Sequence, residues 1–216
     1  MIFVHVYIAA PLNWAPLLED LGVGISISPA QYRKVRGSHD IRAILESAWK
    51  SGMMAPSRLA RLQKWASRCF PHVILVAPDV LHDAERTLRR TREWLSELRD
   101  EDGRVLKMVV PQGRNVKELI KCYERLPSAD LVGVGRLACF DDEDVAATLI
   151  ERVSEPVHLL GWTPHRRLPF KSCASMDFRF YYFKYGSQPW QAAAKTRLQS
   201  LLLKLENKLA NKTLVG

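Results

Sequence analysis

Eight short apolar runs, each with the make-up of a buried strand, recur along this chain at intervals of roughly 20–35 residues. They are Phe3–Ala9, Val23–Ser28, Ile41–Ser47, His72–Asp79, Leu106–Gln112, Leu131–Arg136, Pro156–Trp162 and Phe170–Asp177. Most of the intervals hold a helix-compatible stretch. Strands alternating with helical patterns predict βα units around a parallel sheet, and eight such units are the number of a closed (β/α)8 barrel. The expected fold is therefore α/β, a compact TIM-type barrel. At 216 residues the chain is near the short limit for that architecture, so some helices must be short or missing. The first three intervals are the candidates, because Pro11, Pro16, Pro29 and Pro56 leave little room for long helices there.

No Pro/Gly/Ser-rich tether divides the chain, and Gly103, Pro127 and Pro156 read as short turns. One domain over 1–216 is expected. Its last element is a basic amphipathic helix at about 189–211, with Ala194, Leu198, Leu201, Leu202, Leu205 and Leu209 at helical spacing. That stripe packs on the barrel and turns Lys195, Lys204, Lys208 and Lys212 outward.

Composition narrows the function classes. A hydrophobic content of 47% argues against disorder, and no apolar stretch is long enough for a membrane span. The start MIFVHVYIAAPL lacks the basic opening and cleavage site of a secretory signal. Cys69, Cys122, Cys139 and Cys173 are scattered, with no CxxC pair, so the reading is reduced thiols in a cytoplasmic protein with no metal and no cofactor. The net charge of +9 attracts polyanions, and nucleic acid is the commonest such partner. The excess gathers in Arg33, Lys34 and Arg36; in Arg58, Arg61, Lys64 and Arg68; in His165, Arg166 and Arg167; and in the tail after Lys184.

The chemistry is expected where strands end. Strand four closes in VAPD, and Pro78 cannot extend the hydrogen-bond ladder, so Asp79 is pushed over the mouth. Asp83 suits the cap of the following helix. Strand five closes in VVPQG, where Gln112 offers donors and an acceptor and Gly113 lets backbone approach a ligand. In VGVGR, Gly133 and Gly135 alternate along one face and leave room for a planar ligand. No phosphate-loop motif follows them.

The succession AILESAW, VAPDVLHDAERTL, VVPQG, VGVGRL, HLLGW and SCASMDF resembles the tRNA-guanine transglycosylase superfamily, nearest to the compact members that insert 7-deazaguanine bases into DNA. The resemblance implies a (β/α)8 barrel, exchange of guanine in DNA or tRNA, and partners in nucleic acid and a guanine-like base. It places Asp79 and Gln112 on the guanine edge, with Gly135 at the base, and it matches Glu46 and the retained Ser47 to an Asp–Ser–Gly motif. On the last strand, Lys171 and Ala174 stand where the family carries its nucleophilic aspartate. Asp177 or Glu46 must then supply the carboxylate, or exchange is lost. An offset of three from Ala174 turns Asp177 to the opposite face unless a bulge re-aims it. Lys171, Arg166, Arg167, Lys195, Lys204 and Lys208 are the expected phosphate contacts. Two alternatives stay open: a non-catalytic relative that binds nucleic acid or a nucleobase, and an unrelated barrel enzyme in which Arg114 and Arg136 grip a phosphorylated metabolite. Oligomeric state is not legible.

Overall fold

The computed structural model describes residues 5–10, 12–47, 54–98, 104–162 and 173–179, together with 196, 199, 200, 202 and 203. Its strands are β1 (His5–Ala9), β2 (Gly24–Ile27), β3 (Ala43–Leu45), β4 (Val73–Val76), β5 (Val105–Val109), β6 (Leu131–Gly135), β7 (Val157–Leu160) and β8 (Cys173–Arg179). All pair in parallel with their sequence neighbours, and β8 returns to β1, so the sheet is a closed barrel in sequential order. The (β/α)8 architecture expected from the apolar runs is the one observed.

The helices are α1 (Ala15–Asp20), α2 (Pro29–Tyr32), α3 (Pro56–Ser67), α4 (Ala84–Glu97), α5 (Val116–Arg125) and α6 (Glu143–Arg152). The first two are short, as the prolines require. The third is not: α3 runs 12 residues with Pro56 in its first turn, where a missing N–H costs nothing. Asp83, Asn115 and Asp142 cap α4, α5 and α6 by accepting from backbone N–H groups of the first turn. Residues 196, 199, 200, 202 and 203 are helical; Leu202 packs against the core, while Leu203 is exposed. No helix among the described residues is long and apolar enough to cross a membrane.

Two apolar layers follow from strand alternation. The larger lies between sheet and helices and includes Ile8, Ile25, Leu45, Leu75, Val109, Val132, Leu159 and Met176. The smaller fills the barrel: Tyr7, Ile44, Ile74, Val76, Met108, Val110 and Leu131. Fixing these two sets fixes which polar residues point inward. Gly24, opposite Tyr7 in the β1–β2 pairing, is needed for this filling, because a Cβ there would lie 2.3 Å from Tyr7 Cδ1.

A buried amide ties the wall of the future site together. Gln63 on α3 is fully buried; its Nε2 donates to Leu45 O at 2.9 Å and Val76 O at 3.0 Å, and its Oε1 accepts from Trp94 Nε1 at 2.7 Å. The last carbonyls of β3 and β4 are thereby held against α3 and α4.

Candidate active site

At the C-terminal ends of β3, β4 and β5 three polar side chains meet. Asp79, three residues beyond β4, is half-buried. Its Oδ1 accepts from Ser47 Oγ at 3.2 Å and its Oδ2 from Gln112 Nε2 at 2.6 Å. Burial raises the Asp79 carboxyl above the usual range, against the pull of its own backbone N–H, of Ser47 and Gln112, and of the Arg90 charge. The Gln112 amide has a defined orientation, since its Oε1 accepts from His82 N at 3.1 Å. His82 in turn adopts φ 58°, and its ring stacks on Phe140 with centroids 5.0 Å apart. Left-handed backbone at a non-glycine residue beside an acid is strain of the kind that collects at functional sites.

Glu46 follows β3 and accepts from Ser26 Oγ, an inward residue of β2, at 2.7 Å. Tyr32 OH donates to the Glu46 carbonyl. The register that places Ser26 beside Ile44 puts Glu46 on the same inward side, one step nearer the mouth.

A second polar group lies on β7 and β8. The β7–β8 pairing shifts between Val157↔Cys173 and His158↔Ser175, leaving Ala174 unpaired as a bulge. Cys173 packs outside the barrel, and without the bulge Asp177 would point the same way. With it, Ser175 and Asp177 turn inward, Asp177 level with Tyr7. Asp177 Oδ1 accepts from Gly161 N at 2.9 Å and meets His158 Nε2 at 3.4 Å; His158 Nδ1 is 2.6 Å from Ser175 Oγ. In the ring order β4 and β8 are four strands apart either way, so Asp79 and Asp177 belong to opposite sides of one barrel.

The glycines expected to make room for a ligand are mostly explained by packing. A Cβ at Gly113 would come within 2.4 Å of Leu119 N, so helix α5 needs that absence. At Gly133 it would meet Leu160 Cδ1 at 2.6 Å. Gly135 differs, its nearest neighbour being Ala138 Cβ at an ordinary 3.4 Å. Arg166, Arg167, Lys171, Lys195, Lys204 and Lys208 lie outside the described residues. Burial pushes the Cys139 and Cys173 thiols up to about 12, which keeps them protonated and unreactive. Among the described residues no group of three or more His, Cys, Asp or Glu is placed to hold a metal ion.

Three residues of this arrangement carried no sequence signal. His158 is hidden in the apolar run PVHLLGW, Ser26 sits in a strand of otherwise apolar residues, and His82 acts through its backbone.

No family model and no curated protein matches the sequence. Solved structures do match. A protein of Burkholderia cenocepacia J2315 named as a lyase/mutase is similar with a TM-score of 0.56 and 12% identity, over 92% of this chain and 81% of that one. A second protein of that organism, named as a phosphonomutase, gives 0.51 and 15% over 93% and 94%. QR15, an aldolase, gives 0.51 and 13% over 82% and 89%. At such identities the likeness is one of fold.

These comparisons overturn the transglycosylase resemblance. The fold leads to barrels named for aldolase, lyase and mutase activity, and guanine exchange, 7-deazaguanine insertion and a pentosyltransferase activity fall with the family reading. The geometry supplies a physical reason: Asp79 and Gln112 are turned on each other, and the Gln112 carbonyl is taken by His82 N, so the pair does not present a shared edge to a purine. The expectation of DNA or tRNA as partner, with or without catalysis, is corrected on the same grounds. Part of the basic excess is also met locally, with Arg125 paired to Glu85, Arg136 Nη1 3.7 Å from Asp141, and Arg36 over the Trp65 ring.

Proposed function

We propose that this chain is a barrel enzyme of the lyase or mutase type, acting on a small anionic metabolite by proton transfer at a carbon beside a carbonyl. The observation that carries the reading is Asp79, a carboxylate at the end of a barrel strand, enclosed and raised in pKa yet fixed by Ser47 and Gln112. A general base works best with a pKa nearer the operating pH than an ordinary carboxylate has. With three hydrogen bonds accepted on two oxygens, the carboxylate keeps a lone pair for a substrate proton. The ionised acid takes the proton, the pair from the broken C–H bond enters the carbonyl as an enolate, and the neutral acid returns a proton to carbon as the carbonyl re-forms. Asp177, from the other side of the ring, is the second proton-transfer group, with Glu46 the third carboxylate of the mouth.

Arg114 follows β5 at the same end and is the cationic partner for a phosphate or carboxylate, with Arg136 after β6 able to join it only by leaving Asp141. Among the described residues no lysine stands on the inward face: Lys107, the single strand lysine there, pairs with Leu75, which packs outside the barrel. The reading rests on acid–base work by the carboxylates Asp79 and Asp177. The similar folds named as lyase/mutase, phosphonomutase and aldolase support the class. The test is protein-dependent exchange of solvent deuterium into phosphorylated and carboxylate carbonyl compounds, followed by proton NMR in wild type and in Asp79→Asn.

A further inference from the structure

His158 is a wholly buried imidazole inside the barrel, beside the apolar filling of Tyr7, Ile44, Ile74, Val76, Met108, Val110 and Leu131. Both of its nitrogens are engaged, Nδ1 with Ser175 Oγ and Nε2 with Asp177 Oδ1, and its ring meets Tyr7 edge-on with centroids 6.0 Å apart. Nothing in the proposed chemistry requires a histidine at this depth. Its surroundings do assign it a job.

Asp177 Oδ1 already accepts the Gly161 N–H, so Nε2 can approach that oxygen only by bringing a hydrogen. A neutral imidazole with hydrogen on Nε2 has a bare Nδ1, which then accepts the Ser175 hydroxyl hydrogen. Asp177 therefore selects the tautomer, and the Ser175 hydroxyl, 2% exposed and able to donate or accept, fits it. Both hydrogen bonds from the described residues fall on Oδ1 and none on Oδ2. Asp177 is the more exposed of the pair, 11% against none for His158.

We infer that His158, held between Ser175 and Asp177, is a positioning residue: it clamps Asp177 Oδ1 and leaves Oδ2 as the atom that exchanges a proton with substrate. The second half of this statement rests on the proposed proton-transfer reaction, whereas the clamp itself does not. In the step, Asp79 takes the C–H proton and the electron pair enters the carbonyl, while Asp177 Oδ2 takes a second proton from the substrate, leaves that bond's electron pair on the substrate, and later returns a proton exchanged with solvent.

Two measurements test this. The first is the tautomer of His158 in the free wild-type protein, read from the nitrogen-15 shifts of its ring. Hydrogen on Nε2 is expected, and hydrogen on Nδ1 alone overturns the proposal whatever the substrate. The second separates positioning from packing by two amide variants of like polarity. His158→Gln keeps a donor at the reach of Nε2, and His158→Asn keeps only a group at the reach of Nδ1. In the deuterium-exchange assay Gln should hold kcat within about 3-fold of wild type, while Asn should lose about 10-fold or more with KM unchanged, part of the roughly 10²–10⁴ a placed acid or base contributes. Equal kcat in the two folded variants overturns the clamp. If no compound in the panel exchanges with wild type, the reaction proposed above fails, and the tautomer alone decides the role of His158.

Discussion

Gln112 Nε2 stands 2.6 Å from Asp79 Oδ2, a bond that crosses from the end of β5 to the end of β4 and sets how the central carboxylate faces the barrel mouth. The enclosure that makes this bond short also disfavours the charged carboxylate. A carboxyl whose folded-state pKa is raised binds its proton more tightly in the folded protein than in the unfolded chain. Its contribution to stability is then fully present below the unfolded value and is lost as pH rises from about 3.8 through the raised folded value. Asp79→Asn removes this titration. Thermal unfolding followed from pH 4 upward should show a shallower loss of stability with rising pH in the Asn variant than in wild type over the range just above the ordinary carboxylate pKa.

Gln63 offers a test of what holds the β3 and β4 ends in place. Gln63→Leu keeps volume but leaves the Leu45 and Val76 carbonyls and the Trp94 indole N–H without their partner. Each buried orphan costs about 1–3 kcal/mol, so a loss of about 3 kcal/mol or more is expected in denaturant unfolding. Loss of less than about 1 kcal/mol would mean these groups find other partners.

Gly24→Ala tests the barrel filling. The added methyl falls on the Tyr7 ring, which is 4% exposed and lies edge-on to His158. Overpacking of this kind costs about 1–3 kcal/mol. The same variant should shift the ring resonances of His158 in the histidine NMR spectrum, since Tyr7 is the aromatic neighbour that must move.

The barrel was legible because parallel strands covered on both faces read as unbroken apolar runs, and prolines marked the short early helices. Pro56 misled in one respect, since it opens α3 rather than limiting it. The strand-end positions of Asp79 and Gln112 were legible for the same reason, since an apolar run that stops at a polar residue marks the mouth of any such barrel, whereas Glu46 was singled out only through the family resemblance. That generality is also why the family resemblance failed. VAPD, VVPQG and VGVGR are what a strand leaving a barrel looks like, and a shared fold does not carry a shared reaction. The inward face of Asp177 was not legible, because it depends on one unpaired residue, Ala174, and a bulge reverses the parity of everything after it. Nor was the His158–Ser175 contact, which joins two strands 17 residues apart in sequence through side chains that look like isolated polar breaks.

The central claim is that Asp79 moves a proton at carbon. The measurement that tests it most directly is exchange of solvent deuterium into a panel of phosphorylated and carboxylate carbonyl compounds, followed by proton NMR with wild type, Asp79→Asn and a no-protein control. The account predicts that wild type exchanges a carbon-bound hydrogen of at least one compound and that Asp79→Asn, folded to the same thermal stability or better at neutral pH, slows this by about 10²-fold or more. Exchange by Asp79→Asn at the wild-type rate, or no exchange above the control for any compound in the panel, would contradict it.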